Sequence, residues 1–77
     1  MVEIDHTLDC KGLSCPMPIV KLNSTIKKIE VGQVLEMLGT DPGSKGDVPL
    51  WCKRKGQELL EVSEEDGIYK FIIRRNK

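Results

Sequence analysis

From residue 2 to residue 10 apolar and polar positions alternate, with Val2, Ile4, His6, Leu8 and Cys10 on one side and Glu3, Asp5, Thr7 and Asp9 on the other. A period of two predicts a half-buried strand, which Gly12 breaks. The period then lengthens: Ile19, Leu22, Ile26 and Ile29 fall at helical spacing, while Lys21, Lys27 and Lys28 lie mostly off that stripe. This predicts a helix over residues 16–30, with Gly32 as its stop signal. Val34, Leu35, Met37 and Leu38 give residues 33–39 the character of a largely buried strand, and Asp41-Pro42-Gly43 is turn chemistry. Asp47 is placed to cap a second helix that has Pro49 in its first turn and Gly56 just past its end; Val48, Trp51, Cys52 and Lys55 would share one face. Residues 57–63 and 68–74 read as two strands joined by a hairpin turn at Glu65-Asp66-Gly67.

The order is therefore strand, helix, strand, helix, strand, strand. Two helical crossovers imply parallel pairings, and the final hairpin adds an antiparallel one. The economical solution is an α+β fold: a two-layer βαβαββ sandwich, with a mixed four-stranded sheet carrying both helices on one face. At 77 residues the chain is expected to form one domain over residues 1–77. A domain of that size has a thin core and little room to enclose a large cofactor.

Composition narrows the function classes. Twelve basic residues balance twelve acidic ones, so no global charge draws the chain to nucleic acid or an anionic membrane. One Trp, one Tyr and one Phe leave almost no platform for base stacking. The basic clusters Lys53-Arg54-Lys55 and Arg74, Arg75, Lys77 read first as solvated element ends, with a docking patch for an acidic partner as the alternative. No apolar run approaches a membrane span, and the start Met-Val-Glu-Ile-Asp-His lacks the features of a secretory signal. An odd cysteine count of three without such a signal points to the cytoplasm, where each thiol is either an inert core group or a reactive one.

The segment that carries chemistry is Cys15-Pro16-Met17-Pro18. A residue before proline is pushed out of the helical region, so Cys15 is expected as the N-cap, with Pro16 at the first helical position and Pro18 at the third. A side chain at the N-cap points towards free backbone N–H groups, here those of Met17 and Ile19, and towards the positive end of the helix dipole. Both would favour a thiolate or persulfide anion, placing the Cys15 pKa below about 8.5. The prolines would stiffen the loop and hold the sulfur outward. The plainer alternative is a rigid helix start with an incidental cysteine.

Other candidates are weaker. Four residues separate Cys10 from Cys15, unlike the spacing of thioredoxin-like or zinc-binding pairs. Cys10 is expected as a buried core thiol, with a resolving role towards Cys15 as the alternative, and Cys52 beside Trp51 is expected in the core of the second helix. His6, the lone histidine, is expected to be partly buried and satisfied. Asp9 and Asp41 should lie at the carboxyl ends of their strands, the edge that ligands favour in open α/β sheets. Asp9 would shape the loop by accepting from the Lys11-Gly12-Leu13 backbone while pointing away from Cys15.

Taken together, Leu8-Asp9-Cys10-Lys11-Gly12-Leu13-Ser14-Cys15-Pro16-Met17-Pro18 resembles the TusA/SirA-like family of small sulfur-carrier proteins, whose pattern is an aspartate, two residues, Gly-Leu, one residue, then Cys-Pro-x-Pro. Asp41-Pro42, Asp47-Val48-Pro49 and Trp51-Cys52 extend the likeness to residues 6–75. The resemblance implies a βαβαββ sandwich and a persulfide on Cys15. It also implies a cysteine desulfurase or rhodanese-type donor, and an acceptor serving tRNA thiolation, cofactor sulfuration or sulfur oxidation. Asp9, Gly12, Pro16, Met17, Pro18 and Asp41 would form the supporting loop and helix start, and Leu13 and Trp51 the docking face. Lys11 departs from the arginine frequent in the family, and Cys10 is an extra thiol that leaves open disulfide protection or selenium-related chemistry. On this reading the carrier is a monomer when free, needs no metal or organic cofactor, binds no nucleic acid or membrane directly, and turns over only with partner enzymes. An interaction module with an incidental Cys15 and a Cys10/Cys15 thiol-redox protein are the rivals.

Overall fold

The structure, a computed structural model, describes residues 3–77. The elements run β1 (His6–Cys10), α1 (Met17–Ile26), β2 (Val34–Gly39), α2 (Ser44–Lys55), β3 (Glu58–Glu65) and β4 (Ile68–Arg74). This is the α+β, βαβαββ order that the hydrophobic pattern predicts. The strands form one mixed sheet in the order β1-β2-β4-β3.

One of the two expected parallel pairings forms. β1 pairs in parallel with β2, His6 opposite Leu35 and Cys10 opposite Gly39. β3 runs in the same direction as β2 but does not touch it, because β4 inserts between them and pairs antiparallel with both. Burial explains the insertion. In β4, Tyr69, Phe71, Ile72 and Ile73 are all buried, whereas β3 is mostly exposed and suits an edge. The hairpin closes through the two residues Asp66 and Gly67, both at positive φ (53° and 78°), the backbone of a type I′ turn.

The pleat sends Cys10, Leu35, Met37, Tyr69, Phe71 and Ile73 to one face, where they meet Leu22 and Ile26 of α1, Ile29 beyond it, and Val48, Trp51 and Cys52 of α2 in one apolar cluster. Both helices thus cover the same face.

The largest departures of element ends from expectation are three. β1 begins at His6, since Glu3, Ile4 and Asp5 are exposed; Val2 lies outside the described residues. Asp5 still extends the edge, its N–H donating to Val34 O (3.0 Å) and its Oδ2 accepting from Val34 N–H (2.8 Å). His6 is exposed, not partly buried, and its Nε2 lies 3.2 Å from Gln33 Oε1. α1 stops at Ile26 and the chain continues in turns, with Lys28 N–H on Thr25 O (2.9 Å), which lets Ile29 drop into the core. α2 starts at Ser44, three residues before the expected cap, with Gly43 at the N-cap position and Asp47 inside the first turn. The stop at Gly56 is as expected: it adopts the left-handed conformation (φ 72°), and Lys53, Arg54 and Lys55 occupy the exposed last turn, where cations complement the helix dipole.

Candidate functional site

Cys15 is the exposed member of three free cysteines; Cys10 (0% exposed) and Cys52 (2%) are core residues. The Cys10 sulfur is sealed inside the apolar cluster, so the structure does not bring it out to meet Cys15. Burial pushes the Cys52 thiol up to about 11 and raises that of Cys10 as well. The consequence for Cys52 can be measured. Its pKa in the folded protein lies above that of the unfolded chain, so its contribution to stability is complete below about pH 9. It is lost as pH rises towards 11, by about 2–3 kcal/mol at full extent. Urea midpoints measured across that window should fall more steeply for the wild type than for Cys52→Ala.

The loop that presents Cys15 is built from backbone bonds to two neighbouring segments. Asp9 Oδ1 accepts from Lys11 N–H (2.9 Å), closing an aspartate turn at the end of β1. Gly12 takes positive φ (82°) and its N–H donates to Thr40 Oγ1 (2.9 Å). Leu13 N–H returns to Cys10 O (3.2 Å), and its half-buried side chain packs against the core. Of the three backbone donors expected for Asp9, it therefore takes one; Thr40 and Cys10 take the others. Asp41 provides the latch: its Oδ2 accepts from Cys15 N–H (2.8 Å), its Oδ1 from Gly43 N–H (3.1 Å), and its carbonyl from Ser44 N–H (3.0 Å). One aspartate thereby ties the sulfur-bearing loop to the start of α2.

The helix-cap geometry expected for Cys15 is not formed. Pro16 occupies the N-cap position and α1 begins at Met17, so Pro18 sits at its second residue. The Cys15–Pro16 peptide is cis. Met17 N–H donates to Ser14 O (3.0 Å), so it is not free for the sulfur. The Cys15 sulfhydryl instead donates to Asp47 Oδ2 across 3.8 Å. The predicted fall in the Cys15 pKa is reversed. The thiol is raised, by partial desolvation against the protein surface, by the charge of Asp47, by the hydrogen bond to it, and by the charge of Asp41. Desolvation is the first of these causes although the residue stands in the open. Asp47 was expected to act only as a helix cap; nothing local in the sequence signals that a residue 32 positions away faces Cys15.

The docking face also needs correction. Trp51 is 6% exposed, part of the core cluster, with a buried indole N–H that finds no acceptor among the described residues. It contributes only the floor of an open groove of about 300 Å³, whose other walls are Pro16, Ile19, Val20, Asn23 and Lys55. Of the exposed apolar side chains, Met17 (44% exposed) opens α1 two residues after Cys15 and Val20 (53%) lines this groove. A separate hollow of about 270 Å³ lined by Leu38, Ile68, Lys70 and the β3 end contains none of the site residues. Among the described residues, no three His, Cys, Asp or Glu side chains gather in a way that could hold a metal ion, and no helix is long and apolar enough to cross a membrane.

Residues 6–75, almost the whole chain, match the family model described as sulfurtransferase TusA. The chain belongs to the TusA family. The sulfur carrier protein TusA of Allochromatium vinosum is 41% identical over 76 residues, covering 99% of this chain and 100% of that one. A putative sulfur carrier protein of Aquifex aeolicus is 50% identical over 66 residues, 86% of this chain but 34% of that longer relative. The crystal structure of a SirA-like protein from Desulfitobacterium hafniense superposes with a TM-score of 0.81 over 94% of this chain and 99% of that one, at 23% identity, and so shares the TusA-type fold.

Proposed function

We propose that this protein is a sulfur carrier that takes up sulfur as a persulfide on Cys15 and relays it between partner proteins. The observation that carries the reading is the setting of that residue. The one exposed thiol of the chain stands on a loop latched by Asp41, while the other two thiols are sealed in the core. Membership of the TusA family and relatives named sulfur carrier proteins support it.

In the loading step the Cys15 sulfhydryl loses its proton to solvent, and the thiolate attacks the outer sulfur of a donor persulfide. A new S–S bond forms as the donor's breaks, and the donor leaves as a thiolate. An acceptor thiolate later repeats the exchange at the outer sulfur on Cys15. Neither step changes the overall oxidation state, and neither needs a metal or organic cofactor. A cysteine desulfurase or rhodanese-type protein is the donor class, an acceptor protein the destination, and the cytoplasm, which keeps thiols reduced, the setting. Exposed Met17 and half-buried Leu13, each two residues from Cys15, with exposed Val20 of the groove beside Pro16, supply the contact surface of this reading.

Incubation with a cysteine desulfurase and cysteine should raise the intact mass by one sulfur, and a thiol reductant should reverse the gain. A mass that stays unchanged while the desulfurase turns over would reject the carrier reading.

A further inference from the structure

Asp47 lies in the first turn of α2, between Ser44 (2% exposed) and Val48 (0%), whose burial fixes that turn against the sheet. Its carboxylate reaches across to the start of α1 and accepts the Cys15 sulfhydryl at Oδ2, the one side-chain hydrogen bond it makes among the described residues. Asp41 does different work from the β2–α2 loop, accepting the Cys15 backbone N–H. The backbone is thus held by one aspartate and the sulfur's hydrogen by another. The charged groups that act on the sulfur are these two, Asp47 from α2 and Asp41 from the loop, and both carry the sign that opposes a thiolate.

We propose that Asp47 is a positioning residue that restrains the unloaded carrier, holding the Cys15 sulfhydryl in a contact that a persulfide at the same sulfur cannot make. This rests on the carrier reading above. Once the outer sulfur is attached, Sγ is bonded to carbon and sulfur and has no hydrogen to donate. The bond to Asp47 is then lost, and the carboxylate repels an ionised outer sulfur, directing it away from α2. The unloaded protein is a slow nucleophile towards stray electrophiles, and the loaded one presents its cargo outward.

Alkylation of Cys15 by iodoacetamide, followed by intact mass as a single addition across pH 6–10, reads this restraint directly. Two unit charges about 4 Å apart in a water-like medium shift an equilibrium by roughly fivefold. Asp47→Asn should therefore move the rate profile to lower pH and speed alkylation about fivefold on its rising limb, with the gap narrowing at high salt. Asp47→Ser, which keeps a polar side chain in the turn, should show the same shift and gives a second variant if the first folds poorly. Profiles that superimpose on the wild type would overturn the proposal, because a merely structural role for Asp47 leaves the titration of Cys15 unmoved. Desulfurase-driven loading is measured in parallel. Failure of the wild type to load defeats the carrier reading, while the alkylation profiles judge Asp47 separately.

Discussion

Phe71→Ala is expected to remove a large share of the protein's stability. Phe71 is fully buried at the centre of β4, with Met37 opposite it on β2 and Val62 opposite it on β3, under the roof formed by α1 and α2. Truncating a buried phenylalanine costs about 3–5 kcal/mol, the sum of the lost transfer free energy and the cavity left behind. A chain of 77 residues has about 4–12 kcal/mol in total. The loss is therefore a large share of the whole. The sheet cannot close around the gap, because β4 is held on both sides by strand pairing. Chemical denaturation should show a midpoint shifted far towards zero denaturant, with little change in slope if the unfolded state is unaffected. A variant within 1 kcal/mol of the wild type would show that the core is not organised around β4.

Cys15→Ser is expected to abolish sulfur uptake and leave the fold untouched. A serine hydroxyl cannot form the persulfide on which the proposed relay depends. The contact that orders the loop comes from the backbone N–H of residue 15 to Asp41, and serine keeps it. The side chain is exposed, so stability should change by no more than about 0.5 kcal/mol. The two halves of this expectation are separable: loading is read by mass and stability by urea. A Cys15→Ser protein that still gained sulfur would move the site to another residue.

The sequence made the elements legible because their periods differ. The alternation up to Cys10, the Ile19-Leu22-Ile26-Ile29 stripe and the apolar run of β2 each lead to one element type, and all three appear. The position of β4 between β2 and β3 was also encoded, though in burial demand and not in periodicity. The run Ile68-Tyr69-Lys70-Phe71-Ile72-Ile73 requires cover on both edges, whereas Glu58-Leu59-Leu60-Glu61 and Ser63-Glu64-Glu65 suit one exposed edge. Reading two crossovers as two adjacent parallel pairs overlooked that difference.

The candidate site divides along similar lines. Cys15 as the presented thiol, Gly12 as a loop residue and Asp41 as the loop's neighbour follow from local pattern and resemblance. The electrostatics do not. An argument from the helix dipole treats the first turn of α1 in isolation, yet Pro16 takes the cap position, Ser14 takes the Met17 N–H, and desolvation of the sulfur together with two carboxylates from the other helix and its loop raises the thiol pKa. Tertiary neighbours outweigh a partial charge at an exposed helix end. No one-dimensional signal links Asp47 to Cys15, and none distinguishes a Trp51 that anchors α2 in the core from one that displays itself to a partner.

The central claim is that transferable sulfur resides on Cys15, and the chain offers a direct way to locate it. Lys11 and Lys21 bracket Cys15, so trypsin releases residues 12–21 with that cysteine alone, apart from Cys10 and Cys52. Protein loaded by a cysteine desulfurase, trapped by alkylation and digested, should show the additional sulfur on the 12–21 peptide. Extra sulfur found on the peptides of Cys10 or Cys52, with the 12–21 peptide carrying none, would contradict the account.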